Sequence, residues 1–122
     1  MSTKNPFHKS VFNAISGFLW ILRNERNFQI EVFGLLLNLF LIVFLKLSTI
    51  DSALILIVCF AVLSLEIINT AIEKICDIIQ PEFDERIKII KDISAGAVLV
   101  SAFFAIVVGI LVYPKYLFLS IF

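Results

Sequence analysis

The stretch from Ile93 to Pro114, ISAGAVLVSAFFAIVVGILVYP, contains no Asp, Glu, Lys or Arg. A helix needs about 20 apolar residues to cross the hydrocarbon of a bilayer, so this stretch reads as a membrane-spanning helix. Toward the N-terminus, Ser52 to Leu65 is also uncharged. It is too short to cross alone, but its helical pattern runs on through Glu66, Asn69, Glu73 and Asp77, which places carboxylates near one membrane face. A third apolar stretch, Ile30 to Leu47, holds Glu31 near its start, Asn38 in its middle and Lys46 near its end. Transmembrane helices are therefore expected at about 28–47, 52–79 and 90–113. Ser48 to Asp51 connects the first two, and Gln80 to Arg86 the last two, with Pro81 ending the middle helix.

Composition agrees with that reading. The chain of 122 residues is 61% hydrophobic and includes 13 Phe, and its mean hydropathy is +1.05. Soluble domains reach only about 45–50% apolar, and one this small hides roughly two-thirds of its unfolded surface. Lipid must take the remainder. Ten Lys and Arg balance ten Asp and Glu, so the basic surplus of a nucleic-acid binder is absent and no nucleic-acid partner is expected. Cys59 and Cys76 have no metal or disulfide spacing and read as reduced packing residues. The start, with Lys4, Pro6, His8 and Lys9, lacks the apolar core and cleavage site of a removable signal peptide. The whole chain, 1–122, reads as one membrane domain without internal repeats.

Ahead of the spans, at about 7–25, Phe7, Val11, Ile15, Phe18, Leu19 and Leu22 recur at helical spacing opposite His8, Asn13, Ser16 and Arg23. This pattern suits a helix lying in the membrane interface, which Trp20 favours; the alternative is an extension packed on the protein itself. Lys4, Lys9, Arg23 and Arg26 precede the first span, and Lys74, Arg86, Lys88 and Lys91 fall at the second connection, leaving Lys46 and Lys115 opposite. The positive-inside rule puts the N-terminus and the second connection in the cytoplasm.

An ionisable residue inside a membrane segment costs about 2.5–3.5 kcal/mol on insertion scales, which makes it a functional suspect. At about 100° per residue, Glu66, Asn69, Thr70, Glu73 and Asp77 fall within an arc of roughly 100° and form one polar stripe. Carboxylates and a side-chain carbonyl on one cavity make a hard-oxygen site of the kind that holds Mg²⁺ with substrate phosphates. Glu25, Glu31, Lys91 and Asp92 lie at the same level, where Lys91 could neutralise a phosphate. Taken singly, Glu73 with Lys74 and Asp77, or Lys91 with Asp92, read as solvated helix ends. Glu66 has no Lys or Arg at helical spacing, and a partly desolvated carboxylate has the basicity that a general base needs near neutral pH. No phosphate-cradling G-x-x-x-x-G-K-[ST] loop occurs. Ala97, Ser101, Ala105 and Gly109 form a small-residue seam for close helix packing. Two rivals remain at this level: a small proton-coupled transporter with Glu66 as the protonatable carrier, and a scaffold subunit whose polar stripe serves helix association.

Glu25-Arg26-Asn27-Phe28, the run Ser64-Leu65-Glu66-Ile67-Ile68-Asn69-Thr70-Ala71-Ile72-Glu73 with Asp77, and Lys91-Asp92 leading into Ala95-Gly96-Ala97 together resemble the prokaryotic integral-membrane diacylglycerol kinase family, which includes undecaprenol kinases. The resemblance covers nearly the whole chain. It implies an all-α membrane protein with three transmembrane helices behind an amphipathic helix, assembled as a homotrimer with active sites between neighbouring chains in the bacterial plasma (inner) membrane. It implies ATP-dependent phosphotransfer to a lipid hydroxyl, of undecaprenol or diacylglycerol, with Mg²⁺. Carried over position by position, Glu66 looks like the general base and Glu25 and Glu73 like the magnesium-holding carboxylates. Asn69 and Asp77 are their neighbours, Lys91 and Asp92 handle the nucleotide phosphates, and Glu82, Phe83 and Asp84 lie near the adenine. Glu31, Glu66 and Ala95 fall at the acceptor lipid. Asn13 stands where some members place an aromatic residue beside the nucleotide, and Pro6 where some place a basic one.

Overall fold

The computed structural model describes residues 6–121, and those residues form four helices with no strand. They are α1 (Phe7–Asn24), α2 (Arg26–Phe44), α3 (Thr49–Ile79) and α4 (Glu85–Ile121). The last three are each long and apolar enough to cross a membrane, so the all-α architecture of an N-terminal helix followed by three spans holds. Short connections make successive spans antiparallel. In the most apolar stretch of α3, 28% is buried inside the chain, against 6% in α2 and in α4; α3 is therefore the central helix on which the other two pack.

The helix limits differ from the sequence expectation, and each difference has a local cause. Glu25, expected as the end of the interfacial helix, is a one-residue hinge with φ −114° and ψ 114° between α1 and α2. The carbonyls freed there are satisfied by side chains: Asn24 Nδ2 donates to the Trp20 carbonyl at 2.8 Å, and Gln29 Nε2 to those of Leu22 at 2.9 Å and Arg23 at 3.3 Å. Phe28, fully buried, pins this corner to Leu63 of α3 together with Ile21, and meets Phe18 edge-on at 5.5 Å between ring centroids. Burial of such a side chain contributes about 1.5–3 kcal/mol.

The first span stops at Phe44 rather than near 47 because Lys46 takes a left-handed conformation, φ 55°. Its N–H donates to the Val43 carbonyl at 3.3 Å and that of Leu47 to Ile42 at 3.1 Å, the paired bonds of a Schellman helix end. The middle helix begins at Thr49, ahead of the expected 52, because the Ser48 hydroxyl caps the Asp51 N–H at 3.1 Å. The last helix begins at Glu85 rather than near 90 because the Asp84 carboxylate accepts from the Arg86 N–H at 2.8 Å while its carbonyl accepts from Lys88 at 3.0 Å.

That helix also runs through Pro114, which was expected to end the span. Proline removes one backbone donor, but the turn beyond it is anchored. Tyr116 donates its hydroxyl to Asp51 Oδ2 at 2.6 Å and accepts from the Ser48 N–H at 3.0 Å, while Lys115 pairs with the same Asp51 oxygen at 2.9 Å. Within the bilayer, Tyr113 donates to Asn38 Oδ1 at 2.6 Å and ties α4 to α2.

Ile21 is the one buried residue of α1, and the face bearing Val11, Ile15, Phe18 and Leu19 is uncovered. The chain thus packs against itself only along the C-terminal part of α1, from Phe18 onward, and most of that face is left to the interface or to another chain. In the seam on α4, Ser101, Ala105 and Gly109 are half-buried, while Ala97 is exposed. Arg23, Arg26, Lys74, Arg86, Lys88 and Lys91 gather at the end where the α1–α2 corner meets the α3–α4 connection, with Lys46 and Lys115 at the other. Lys4, which also entered the charge argument, lies outside the described residues.

Candidate functional site

The polar stripe of α3 faces inward. Glu66, Asn69 and Thr70 are each 6% exposed, although they sit on a helix whose outer residues Ile67 and Ile68 are open. The helical repeat that was legible in the sequence therefore points into the protein and not at lipid.

Glu66 stands among other acids. It interacts electrostatically with Glu73 one helical face along and with Glu25 at the α1–α2 corner, and Glu31 of α2 interacts with Glu66 in turn. Glu66 thus lies within electrostatic reach of carboxylates from the α1–α2 corner, α2 and its own helix. Like charges gathered in low dielectric repel unless a proton or a cation is shared among them. The cationic partner at hand is Lys74, which pairs with Glu25 at 3.4 Å while lying over the Trp20 ring at 5.3 Å. It holds the rim of the cluster rather than its centre. Glu31 Oε1 is buried without a hydrogen-bond partner.

Asn69 organises the middle of the stripe. Its Nδ2 donates to Glu73 Oε1 at 3.1 Å, and its Oδ1 accepts the hydroxyl of Ser94 on α4 at 2.6 Å. The carbonyl that sequence reasoning offered to a cation is therefore occupied by Ser94, and Asn69 acts on the site by orienting Glu73. The sequence reading gave Ser94 no role in the site. Its signal was there: it lies three residues beyond Lys91, on the same face of α4.

Beside the carboxylates, a cleft of about 350 Å³ opens at the α3–α4 connection, lined by Asp77, the 80–84 loop with Glu82, Phe83 and Asp84, and by Ile87, Lys88, Lys91 and Asp92 of α4. Asp77 lies one turn beyond Glu73 and joins the cleft to the acid cluster. Lys91 donates to Asp77 Oδ1 at 2.5 Å, and Asp92 is held by Lys88 at 2.7 Å. These helix ends, read from the sequence as solvated, carry ion pairs: Lys91 reaches Asp77, Lys88 reaches Asp92 and Lys74 reaches Glu25. Arg86 clasps Asp84 at 3.0 Å, and that bond holds the Asp84 carboxyl down to about 2.

The sequence-derived set therefore falls into two adjoining groups: Glu25, Glu31, Glu66, Asn69 and Glu73, and Asp77, Glu82, Phe83, Asp84, Lys91 and Asp92. Ala95 is exposed on α4 next to Ser94 and lines neither the cleft nor the intramembrane groove between the helices. Asn13 is exposed on α1 and also lines neither. Among the described residues, no group of three or more His, Cys, Asp or Glu side chains forms a ready cage for a metal ion. The arrangement supplies fewer carboxylates, open to a shared ligand, next to a lysine-lined cleft. Glu66 lines no part of that cleft, but a buried acid can take a proton from a hydroxyl placed beside it.

Residues 12–113 match the family described as prokaryotic diacylglycerol kinase. The chain is 36% identical over 112 residues to the undecaprenol kinase of Bacillus subtilis, covering 91% of each chain. It is 34% identical over 97 residues to the diacylglycerol kinase of a Synechocystis species, covering 79% of this chain and 55% of that one.

Proposed function

The chain belongs to the prokaryotic diacylglycerol kinase family and is an ATP-dependent membrane lipid kinase; from this premise we propose that it transfers the γ-phosphate of ATP to the hydroxyl of undecaprenol or diacylglycerol, with Glu66 as general base. The observation that carries the base assignment is the burial of Glu66, 6% exposed, among Glu25, Glu31 and Glu73. The reaction runs in one displacement. The lipid oxygen attacks the γ-phosphorus, the bond to the bridging oxygen breaks, ADP leaves, and the lipid hydroxyl proton goes to Glu66.

The pair Glu25 and Glu73 fits Mg²⁺, which favours one or two carboxylates with phosphate oxygens and water completing its shell. Held by these two carboxylates, the ion would supply charge neutralisation to the triphosphate. The residues around the pair do the positioning. Asn69, fixed by Ser94, aims Glu73, and Lys74 holds Glu25 at the corner. Lys91 exchanges Asp77 for a phosphate oxygen, while Asp92 and the 82–84 loop flank the nucleotide in the cleft. Catalysis is then placement and electrostatics, as in phosphoryl transfer generally.

The site belongs on the cytoplasmic side of the bacterial inner membrane, since the basic residues of the corner and of the α3–α4 connection lie at its level. There, ATP arrives from water and the acceptor from the bilayer. The uncovered faces of α1, α2 and α4 suit a homotrimer in which a neighbouring chain completes each site, and Asn13 and Ala95 reach ligand only in such an assembly. Radiolabelled ATP, magnesium and each lipid incubated with purified protein test the reading. Glu66→Gln should lower phosphotransfer by about 10²–10⁴-fold with nucleotide affinity retained, and full activity in that variant would overturn the assignment.

A further inference from the structure

Lys74 stands between two seats. Its Nζ pairs with Glu25 Oε1 at 3.4 Å and lies over the Trp20 ring, 5.3 Å from the centroid. The three residues come from three elements: Trp20 from α1, Glu25 from the hinge, and Lys74 from α3, directly after Glu73. One residue along a helix turns the side chain by about 100°, so Glu73 meets Asn69 while Lys74 reaches across to the α1–α2 corner. Neither contact confines it. The Lys74 side chain is 52% exposed, and lysine is a point charge on a flexible stem, without the fork that fixes an arginine to a carboxylate. Arg23 and Arg26 flank the hinge more closely in sequence, yet among the described residues the cation paired with Glu25 is Lys74.

A divalent cation and this ammonium compete for the same carboxylate. Magnesium–oxygen bonds are about 2 Å long, so an ion on Oε1 would stand less than about 6 Å from an ammonium paired there at 3.4 Å. Two cations that close repel, and the divalent one has the stronger claim on a hard oxygen. The ammonium gives way. It has a second seat at hand, because the negative face of an indole attracts a cation and Nζ already lies over that of Trp20.

Resting on the assignment of Glu25 to the cation, we propose that Lys74 is the resident counter-ion of that carboxylate, exchanged for the divalent cation when the metal binds, and that Trp20 receives the displaced ammonium. Lys74 is then a positioning residue that acts through Glu25, whose charge reaches Glu66, and Trp20 acts through Lys74. Its charge has opposite consequences for two ligands. A free divalent cation is opposed by it, whereas the magnesium–ATP complex, which is net anionic, is attracted. The pair thus favours a cation that arrives with its nucleotide over a cation alone.

Cation binding tests this without turnover. Free manganese is titrated into the full-length protein in bilayers and followed by electron paramagnetic resonance, and a non-hydrolysable ATP analogue is titrated separately with magnesium. Trp20, the single tryptophan of the chain, reports magnesium by its emission. Lys74→Met should bind free manganese at least about threefold more tightly, while its affinity for the magnesium–nucleotide complex falls by a similar factor. Trp20→Leu should weaken free manganese about two- to fivefold. The double variant should match Lys74→Met. Emission of the wild type should shift saturably with magnesium, and that of Lys74→Met should not. Loss of both affinities together in Lys74→Met would mark a packing defect and overturn the proposal, as would manganese that binds wild type and Lys74→Met alike or binds neither. So would a Trp20→Leu effect that persists in the double variant, or an emission shift that survives without Lys74. Glu25→Gln separates the two readings. If it abolishes manganese binding while Lys74→Met changes nothing, the cation assignment stands and the counter-ion fails; if it leaves binding unchanged, both fall.

Discussion

Replacing Ser94 by Ala removes one hydroxyl, and with it the bond to Asn69 Oδ1 at 2.6 Å. Asn69 is 6% exposed, so water cannot readily take the place of the lost donor. A buried acceptor left without a partner costs about 1–3 kcal/mol. The amide can relieve that cost by rotating, but rotation breaks its 3.1 Å bond to Glu73. Either way, the carboxylate assigned to the cation loses its orientation. If about 1.4 kcal/mol of the penalty falls on the bound state, affinity for the magnesium–ATP complex drops about tenfold. Equilibrium binding of a fluorescent nucleotide with magnesium, measured beside thermal unfolding, separates that loss from general destabilisation. Ser94→Thr keeps the hydroxyl and should restore most of the affinity. Unchanged nucleotide affinity in Ser94→Ala, with the stability drop confined to unfolding, would show that Asn69 and Glu73 do not act as a unit.

Lys46 adopts a left-handed conformation at the end of α2, φ 55°, which disfavours a side chain by roughly 1–2 kcal/mol. Lys46→Gly should stabilise the protein by about 0.5–1 kcal/mol after glycine's entropy is set against that strain, seen as a higher unfolding midpoint; a lower midpoint would contradict the Schellman ending. The bonds from Arg86 hold the Asp84 carboxyl at about 2. A depressed carboxylate contributes its stabilisation above its unfolded-state value and loses it as pH falls through the folded one. The clasp should therefore persist at neutral pH and titrate near 2 by carboxyl NMR. Arg86→Gln should return the midpoint toward the ordinary carboxylate value of 3.8, and a midpoint indifferent to Arg86 would refute the clasp.

Glu66, Asn69 and Glu73 were recognisable as one group because a helix repeats its faces whatever it packs against. Glu31 was visible only as an acid near a membrane boundary, and its closeness to Glu66 came from the docking of α2 on α3. Lys91 was legible only as a lysine at the level of the acids, and its bond across to Asp77 came from the docking of α4 on α3. The last helix was expected to stop at Pro114, and it continues because Tyr116 and Lys115 find Asp51, some 65 positions earlier in the chain.

Sequence by itself determined that three helices cross a bilayer, that an amphipathic helix precedes them and that acids gather toward one end. Each of these follows from hydrophobicity, length and the helical repeat, which are properties of neighbouring residues. Tertiary structure alone decided which acids meet, which lysine each one holds and that Ser94 steadies Asn69. Those depend on how far each helix slides and turns against the next. One residue of slippage turns a face by about 100°, and only the packing of whole helices selects among such registers.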